Sequence, residues 1–408
     1  MTELTIRRLG HKGDGIADGP VYVPLTLPGE VVTGDLDGQT LTNTRIITPS
    51  SDRVSPPCRH FKSCGGCQLQ HASDAFLADW KTDIVRAALE VHGLSATFLD
   101  IHTSPLQSRR RATLSARRTK KGAMSGFHAK ASDVIVEIPD CTLLHPDLIS
   151  ARPAVEALAQ VGASRKHALS VALTLSSAGI DAAVQGGKPL DGPLRIELAA
   201  LAQAHDLARL SWDGEGVVTR RAPLQRFGPA SVEPPPGAFL QATRAGEAAL
   251  QADVARIVGG ASTVVDLFAG CGTFALPLAA DHAVHAVEGD AAMTDALCKA
   301  WRMTDGLRAV TVESRDLFRR PLEPDELAQF DAAVIDPPRA GAEAQIATLA
   351  RSTLPVLAYV SCNPTSFARD AKTLVDAGYR LDSLRVVDQF RWSAHVELVA
   401  EFTHVSGA

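Results

Sequence analysis

In the carboxyl-terminal part of the chain, short apolar runs alternate with longer amphipathic segments. The runs at 262–268, 282–288, 331–335 and 354–360 have the apolar content of strands buried on both faces, and the segments between them have helical spacing. Strands that alternate with helices form a parallel sheet, and ligands bind at the carboxyl ends of such strands. The pattern therefore predicts a Rossmann-like α/β domain over residues 232–408.

The earlier part of the chain has two other patterns. Residues 1–52 contain short strands separated by Gly-rich turns, which is typical of a small OB-like β-barrel that binds single-stranded RNA. Residues 53–231 mix short strands with helices and indicate an α+β domain. Within it, residues 73–92 predict an amphipathic helix that we expect to pack on the carboxyl-terminal domain. The predicted fold class is therefore multidomain, with three parts.

The composition is that of a protein with more than one hydrophobic core, since 45% of its 408 residues are hydrophobic. The amino terminus has no apolar signal region, and no apolar span has the length of a bilayer core. We therefore expect a cytoplasmic, monomeric protein without membrane contact.

Positive charge is concentrated in one segment, although the net charge is -5. Residues 107–130 contain eight Lys or Arg residues and no Asp or Glu, beginning with Arg109, Arg110 and Arg111. Such a run can neutralise RNA phosphates even on an acidic protein, and the alternative is a solvated cationic surface.

The seven cysteines come without a secretion signal, which favours metal, catalytic or core thiols over disulfides. Cys58, Cys64 and Cys67 have the spacing C-x5-C-x2-C on a Gly-containing loop, and Cys141 is a fourth thiol farther along the chain. Four thiolates suit either zinc or an iron–sulfur cluster, and the spacing alone leaves both open. Unrelated core thiols are the other alternative.

Cys362 directly follows the last predicted parallel strand. Asn363 suits a helix N-cap and Pro364 the first helical position, so residues 365–377 are predicted to be helical and Gly378 to end the helix. A helix amino terminus can favour a thiolate, which makes Cys362 a candidate nucleophile. The alternative is a small core thiol at the end of a strand.

The turn after the strand at 262–268 has glycines at 270 and 272 but Ala275 in the third place, so it is not the dinucleotide fingerprint. The pattern D-x-F-x-G-x-G followed by an acid about 20 residues later resembles the S-adenosylmethionine site of class I methyltransferases. That resemblance implies a methionine end shaped by Phe268, Gly270, Gly272 and Thr273, a ribose bound by Glu288 and an adenine bound by Asp316.

Over nearly the whole chain, motifs follow the order found in RNA uridine-5-methyltransferases. They are the four cysteines, Phe239-x-Gln241, Asp266 to Gly272, Asp336-Pro337-Pro338-Arg339, Ser361-Cys362-Asn363-Pro364 and His395-Val396-Glu397. The set looks most like the 23S rRNA branch, which implies a [4Fe-4S] cluster rather than zinc, and residues 1–52 resemble a TRAM domain. A tRNA uridine methyltransferase and a non-catalytic RNA-binding or chaperone protein on the same fold are the alternatives.

The resemblance also implies roles at single positions. Cys362 would add to carbon 6 of the uracil, Glu397 would remove the proton of carbon 5, and Asp336 would hydrogen-bond the uracil and contribute to the cofactor site. Phe239 would pack on the flipped base, and Gln241 would contact the cofactor. Glu397 has an alternative as a solvated strand residue. Glu401 shares its face but lies roughly 13 Å further along, so at most one of the two reaches the site.

The sequence departs from the family's usual residues at three places, two of them single residues and one a short segment. Thr243 and Thr273 stand where asparagines are usual, and Arg391-Trp392-Ser393-Ala394 replaces a Pro-x-Thr lead into His-Val-Glu. The two threonines affect the expected contacts to the cofactor. The segment 391–394 affects the orientation of Glu397.

Overall fold

The amino-terminal residues form a closed five-stranded barrel in the computed structural model, which describes residues 2–164 and 166–405. Its strands are β1 (Thr2–Leu9), β2 (Gly15–Ala17), β3 (Val21–Val23), β4 (Val31–Asp37) and β5 (Thr40–Thr48). β1 pairs with both β2 and β4 and so closes the sheet around apolar side chains such as Ile6 and Val32. The prediction of a small barrel is confirmed.

One helix and two very short strands follow the barrel: α1 (Asp74–Glu90), β6 (Thr97–Phe98) and β7 (His102–Thr103). The helix begins where Ser73 accepts a hydrogen bond from the Phe76 N–H at 3.2 Å, as an N-cap does. Leu77, Val85 and Leu89 are buried on one of its faces, and Lys81 is buried beside them.

The middle of the chain forms a seven-stranded sheet in the order β10-β9-β8-β11-β12-β13-β14, with three helices. The elements are β8 (Arg111–Arg118), β9 (Ala123–His128), β10 (Ile135–Glu137), α2 (Pro146–Ser150), α3 (Arg152–Gly162), β11 (Leu169–Ser176), β12 (Gly179–Gln185), α4 (Gly192–Ala204), β13 (Arg209–Trp212) and β14 (Glu215–Thr219). Neighbouring strands are antiparallel except β12 and β13, which are parallel. Apolar residues of α2, α3 and α4 share one core with this sheet.

The carboxyl-terminal part forms the large sheet that carries the candidate site. After a two-stranded hairpin, β15 (Gln225–Phe227) and β16 (Ala230–Val232), come α5 (Arg244–Val258), β17 (Thr263–Leu267), α6 (Ala275–Leu278), β18 (Ala283–Glu288), α7 (Ala291–Arg302), β19 (Val310–Ser314), α8 (Pro324–Leu327), β20 (Ala332–Ile335), α9 (Glu343–Leu349), β21 (Val356–Ser361), α10 (Pro364–Asp376), β22 (Tyr379–Asp388) and β23 (Leu398–His404). Strands β19, β18, β17, β20 and β21 are adjacent in that order and parallel. β23 pairs antiparallel with both β21 and β22.

The large sheet also takes strands from the segment before the middle sheet. β6 and β7 both pair in parallel with β22, and Val85 and Leu89 of α1 lie in the same core as Phe367 of α10. The expected segment 53–231 is therefore divided, because its residues 74–103 lie with the large sheet and only the later part forms the middle sheet. Among the helices of residues 2–164 and 166–405, none combines the length and the apolar character needed to cross a membrane.

Candidate active site

Three neighbouring parallel strands, β17, β20 and β21, end at the same edge of the large sheet. The residues that follow them are the turn 268–272, Asp336 and Cys362. Ser361 pairs with Leu398 between β21 and β23, so the residues next to this pair, Cys362 and Glu397, are neighbours at this edge. The charges of Asp336 and Glu397 both act on the Cys362 thiol.

Cys362 lies half-buried between β21 and α10. The Asn363 side chain accepts a hydrogen bond from the Thr365 N–H at 3.1 Å, which confirms the predicted N-cap, and it donates to the Arg339 carbonyl at 2.8 Å. Burial raises the pKa of the Cys362 thiol to about 11, with smaller contributions from the charges of Glu397 and Asp336. The expectation of a favoured thiolate is therefore wrong for the free protein, because desolvation and two acids outweigh the helix terminus.

Glu397 is only 2% exposed, which excludes the solvated-strand alternative for this residue. Burial raises the pKa of its carboxyl group to about 7, while a hydrogen bond from Gln389 and the charge of Arg111 act in the opposite direction. Glu401 lies outside the site, where it accepts a hydrogen bond from Arg256 at 2.8 Å. Of the two acids, Glu397 directly precedes β23 next to Cys362, whereas Glu401 lies within the strand.

Asp336, and Asp266 near the end of β17, also have raised pKa values. The pKa of Asp336 is raised well above its usual value by burial, and then by the charges of Glu397 and Asp266. Asp266 is fully buried and its pKa is raised to about 8, again mainly by burial. Its Oδ2 accepts a hydrogen bond from the Ala275 N–H at 2.9 Å, which ties the end of β17 to the helix that follows.

Gln389 belongs to the site although no motif singled it out. Its side chain is 2% exposed and donates hydrogen bonds to the Glu397 carboxylate and to Gln241 Oε1, the latter at 2.5 Å. Gln241 in turn donates to Asp336 Oδ2 at 3.4 Å. A glutamine directly after the end of β22 gives no periodic or motif signal, so only the folded chain identifies it.

The turn after β17 has a backbone that favours glycine. Gly270 and Gly272 have φ angles of +55° and +92°, and a Cβ on Gly272 would lie 2.9 Å from Leu276 and Leu297 side chains. Phe268 also has a positive φ, of +64°, and its ring lies 5.4 Å from that of Phe318, a residue that the sequence did not single out. The turn therefore presents an aromatic pair at the edge of the sheet.

The other residues expected around the cofactor lie near this turn. Glu288, at the end of β18, accepts hydrogen bonds from the Gly270 and Asp290 N–H groups at 3.0 and 2.9 Å. Asp316, after β19, is exposed and accepts one from the Phe318 N–H at 3.0 Å. Thr273 is half-buried, and its carbonyl accepts a hydrogen bond from Gln251 at 2.8 Å.

Thr243, one of the departures from the family pattern, has a structural contact. Its hydroxyl caps α5 by accepting from the Gly246 N–H at 2.9 Å, and it lies 2.7 Å from the Ser104 hydroxyl. The side chain is 2% exposed. The threonine therefore joins α5 to the segment that carries β7.

The arginines of the basic segment are buried or half-buried. The Arg111 guanidinium lies 4.3 Å from the centre of the Phe239 ring, and Phe239 is 56% exposed. Arg109 is half-buried over Phe390 at 5.7 Å. Arg110, in contrast, is 2% exposed, pairs with the buried Glu247 and donates to the Gln241 carbonyl at 3.0 Å. The expectation that Arg110 contacts RNA is therefore wrong, since its guanidinium is enclosed by protein.

The four cysteines expected to bind a metal line a single small cavity of about 20 Å³, together with apolar side chains such as Phe61, Phe127 and Leu143. Burial raises the pKa of the Cys64, Cys67 and Cys141 thiols, and their mutual charges contribute. Within residues 2–164 and 166–405, no three His, Cys, Asp or Glu side chains are grouped closely enough to hold a metal ion. Four thiols have the chemistry of iron–sulfur ligands, but the four sulfur atoms are not close enough together to bind one metal ion.

Comparisons with known proteins extend over the whole chain. The family described as tRNA (Uracil-5-)-methyltransferase matches residues 238–402. An uncharacterized RNA methyltransferase of Brucella suis is 43% identical over 98% of this chain and 97% of that protein. The 23S rRNA (uracil(1939)-C(5))-methyltransferase RlmD of Halomonas elongata is 34% identical over 100% of this chain and 90% of that protein.

A solved structure has the same fold. The tRNA (uracil-54, C5)-methyltransferase of Pyrococcus abyssi, in complex with S-adenosyl-L-homocysteine, superposes with a TM-score of 0.74 at 21% identity and covers 98% of this chain and 99% of that chain. The chain belongs to the RNA uracil-5-methyltransferase family and is an S-adenosylmethionine-dependent RNA methyltransferase.

Proposed function

We propose that the protein methylates carbon 5 of a uridine in 23S rRNA through a covalent bond between Cys362 and carbon 6. The observation that carries the proposal is the meeting of Cys362, Asp336 and the buried Glu397 at one edge of the sheet. The choice of 23S rRNA is supported by the Halomonas relative, which is named for that substrate.

The first half of the reaction makes carbon 5 nucleophilic. Carbon 5 of uracil is unreactive until a nucleophile adds to carbon 6. The Cys362 thiol passes its proton to solvent, its sulfur bonds to carbon 6, and the electron pair of the C5–C6 double bond moves towards O4. Asp336, whose pKa is raised by burial, donates a hydrogen bond to the uracil as that charge develops.

The second half removes a proton and restores the ring. S-adenosylmethionine, when bound, supplies the methyl group that carbon 5 takes up. Glu397 then removes the proton of carbon 5, the released electron pair re-forms the double bond, and the bond between carbon 6 and Cys362 breaks. A carboxyl group with a pKa of about 7 is ionised in a large fraction of molecules near neutral pH, so it can act as this base.

The turn after β17 and the acids around it would hold the cofactor. We propose that Phe268, Gly270, Gly272 and Thr273 surround its methionine end, that Glu288 binds the ribose, and that Asp316 binds the adenine beside Phe318. Gln241 and Asp336 would complete this site from the thiol side. The positive φ angles of the two glycines support the proposal, because they let the backbone approach a ligand closely.

The exposed Phe239 ring, with Arg111 over it, offers a surface on which a base can stack. We propose that the target uracil leaves its own stack and packs there, while Arg109 and the exposed cations of the 107–130 segment contact RNA phosphates. The TRAM-like barrel would add a second RNA contact, supported by its exposed Tyr22 and Ile47 side chains.

We also propose that Cys58, Cys64, Cys67 and Cys141 hold a [4Fe-4S] cluster. The support is a donor set of four thiols around one cavity with apolar walls. A bound cluster would cross-link the loop of the first three cysteines to the segment of the fourth. Anaerobically purified protein should contain four irons and sulfides per chain, and stoichiometric zinc would contradict the proposal.

The substrate is tested by mapping methylated uridines, by mass spectrometry, in rRNA and tRNA from cells with and without the gene. We expect one uridine of 23S rRNA to lose its methyl group when the gene is removed. Loss at a tRNA uridine instead would move the substrate to tRNA. Unchanged methylation in both RNA classes would contradict the proposed function.

A further inference from the structure

Gln389 connects the two acids that face the thiol. Its side-chain nitrogen donates to Glu397 and to Gln241 Oε1, and Gln241 Nε2 points towards Asp336. The result is a chain of hydrogen bonds from Asp336 through Gln241 and Gln389 to Glu397.

The orientation of the Gln389 amide is fixed by the backbone. Its Oε1 accepts hydrogen bonds from the Ala242 and Thr243 N–H groups at 2.7 and 3.4 Å. A backbone N–H can only donate, so the oxygen must face residues 242 and 243, and the NH2 group must face the two side-chain oxygens. Both amide hydrogens are thereby used, one on Glu397 and one on Gln241.

The side chain has little room to move. It is 2% exposed, and a Cβ on Gly246, in the first turn of α5, would lie 2.8 Å from Gln389 Cβ. A rigid donor aimed at a buried carboxylate restricts the position of that carboxylate and favours its charged form.

We propose that Gln389 is a positioning residue that holds Glu397 in line with carbon 5 of the bound uracil and keeps it ready to accept a proton. The inference rests on the proposed covalent reaction and assigns the proton-removal step a second residue. Gln389 touches neither the uracil nor the cofactor in this role and acts through Glu397.

The charged groups around Glu397 set the direction of the expected change. Arg111, on β8, favours the ionised carboxylate, whereas Asp336 and Cys362, after β20 and β21, disfavour it when charged. Removing the Gln389 donor leaves burial and these neighbours unchanged. The pH at which half of the Glu397 carboxyl groups are ionised should then rise by about one unit or more. One unit is a tenfold change in the ionisation constant.

The test compares wild type with Gln389→Leu on in vitro transcripts of 23S rRNA and tRNA that contain [5-³H]uridine. Tritium release reports removal of the carbon 5 proton, and a denaturing gel reports the covalent adduct. We expect Gln389→Leu to form the adduct, to keep it methylated at neutral pH, and to release tritium with a midpoint shifted upward by about one pH unit. Gln389→Asn, which keeps an amide too short to reach Glu397, should show the same shift if the leucine variant does not fold.

Gln345→Leu is the matched control, because Gln345 is a fully buried glutamine whose partners are Leu322 and Thr348, away from the site. It should lower thermal stability and leave the pH midpoint unchanged. A Gln389 variant with the wild-type midpoint and adduct lifetime would overturn the proposal, and so would an equal loss of adduct formation and tritium release. If wild type itself forms no adduct on either transcript, the covalent reaction fails, whatever Gln389 does.

Discussion

At the scale of single residues, the acidic groups of the candidate site have raised pKa values. Burial raises the pKa of Cys362 to about 11, of Glu397 to about 7 and of Asp266 to about 8. Burial disfavours the ionised form of each of these groups, although Glu397 is still ionised in a large fraction of molecules near neutral pH. Substrate binding must accompany loss of the thiol proton.

Cys362→Ala should abolish both methyl transfer and the covalent RNA adduct, because no other group in the proposed mechanism can activate carbon 5. Methyl incorporation from labelled S-adenosylmethionine and a denaturing gel measure the two effects. Cys298→Ala is the matched control, since Cys298 is also a half-buried thiol but lies on α7. A Cys362→Ala variant that methylates RNA normally would refute the covalent mechanism.

Glu397→Gln should form the adduct and transfer the methyl group, yet release product at least 100-fold more slowly, because the carbon 5 proton has no base. The measurement is the amount of methylated adduct over time in a single turnover. Glu401→Gln, four residues further along the chain and paired with Arg256, should behave as wild type. Free turnover by Glu397→Gln would assign the proton to another group.

The sequence identified these residues because strand ends, caps and short motifs are local features. Gln389 and the burial of Arg110 were missed because their partners are remote: Gln389 contacts a residue 148 positions away, and Arg110 pairs with one 137 positions away. A charge-based pattern treats every arginine of a basic run as solvated. Only the folded chain shows which one meets a buried glutamate.

At the scale of elements, the loop between β22 and β23 is held by the loop of the cysteines. The backbone N–H groups of Gln68 and Leu69, directly after Cys67, donate to the Trp392 carbonyl at 2.8 and 3.0 Å. Trp392 is buried among Leu69, Leu77 and other apolar side chains. Residues 391–394, which depart from the family pattern, are thus held by packing, and this packing positions the chain that leads to Glu397.

Helix α1 is joined to the same loop by an ion pair inside the protein. Lys81 is fully buried and donates to Asp388 at 2.6 Å and to the Phe390 carbonyl at 3.1 Å. Lys81→Met should destabilise this unit by about 3–5 kcal/mol, because it leaves the Asp388 carboxylate buried without a partner. Urea unfolding measures the loss.

The double variant Lys81→Met with Asp388→Asn should recover a large part of that stability, since no uncompensated charge is left. Lys372→Met is the control, because Lys372 forms an exposed pair with Asp376 on α10 and should cost less than about 1 kcal/mol. Purely additive losses in the double variant would show that the buried pair is not coupled.

The element pattern was predictable where segments are long and periodic. The parallel strands and α1 follow from apolar spacing, whereas β6 and β7 have two residues each and carry no periodic signal. Their membership of the large sheet depends on pairing with β22, almost 300 residues later. The amphipathic pattern predicted that residues 73–92 pack on the carboxyl-terminal domain, but it carried no signal for the pairing of β6 and β7.

At the scale of the whole molecule, the buried acids affect stability as a function of pH. The folded-state pKa of Asp266 is about 8, against a usual value of 3.8, so between these values the folded chain binds more protons than the unfolded chain. Stability must then fall as pH rises through that window, by up to about 1.4 kcal/mol per pH unit for this group. Asp336 and Glu397 act in the same direction.

Asp266→Asn should therefore flatten the decline in thermal midpoint between roughly pH 4 and pH 8. The stability of the variant relative to wild type should increase as pH rises. Asparagine keeps an oxygen for the Ala275 N–H but does not titrate. Asp331→Asn serves as control, because the pKa of this exposed acid is lowered by hydrogen bonds and its effect has the opposite sign. Parallel curves for Asp266→Asn and wild type would refute the shift.

The pairing of β22 with β6 and β7 has a consequence for how the protein is made. Because Lys81 and Asp388 are 307 positions apart, α1 leaves the ribosome long before its partners exist. The middle sheet, over residues 111–219, is complete in the meantime and can fold as a unit. The methyltransferase part therefore folds last. Its strands β22 and β23 leave the exit tunnel long after α1 has been synthesised, and only then can they contact this helix.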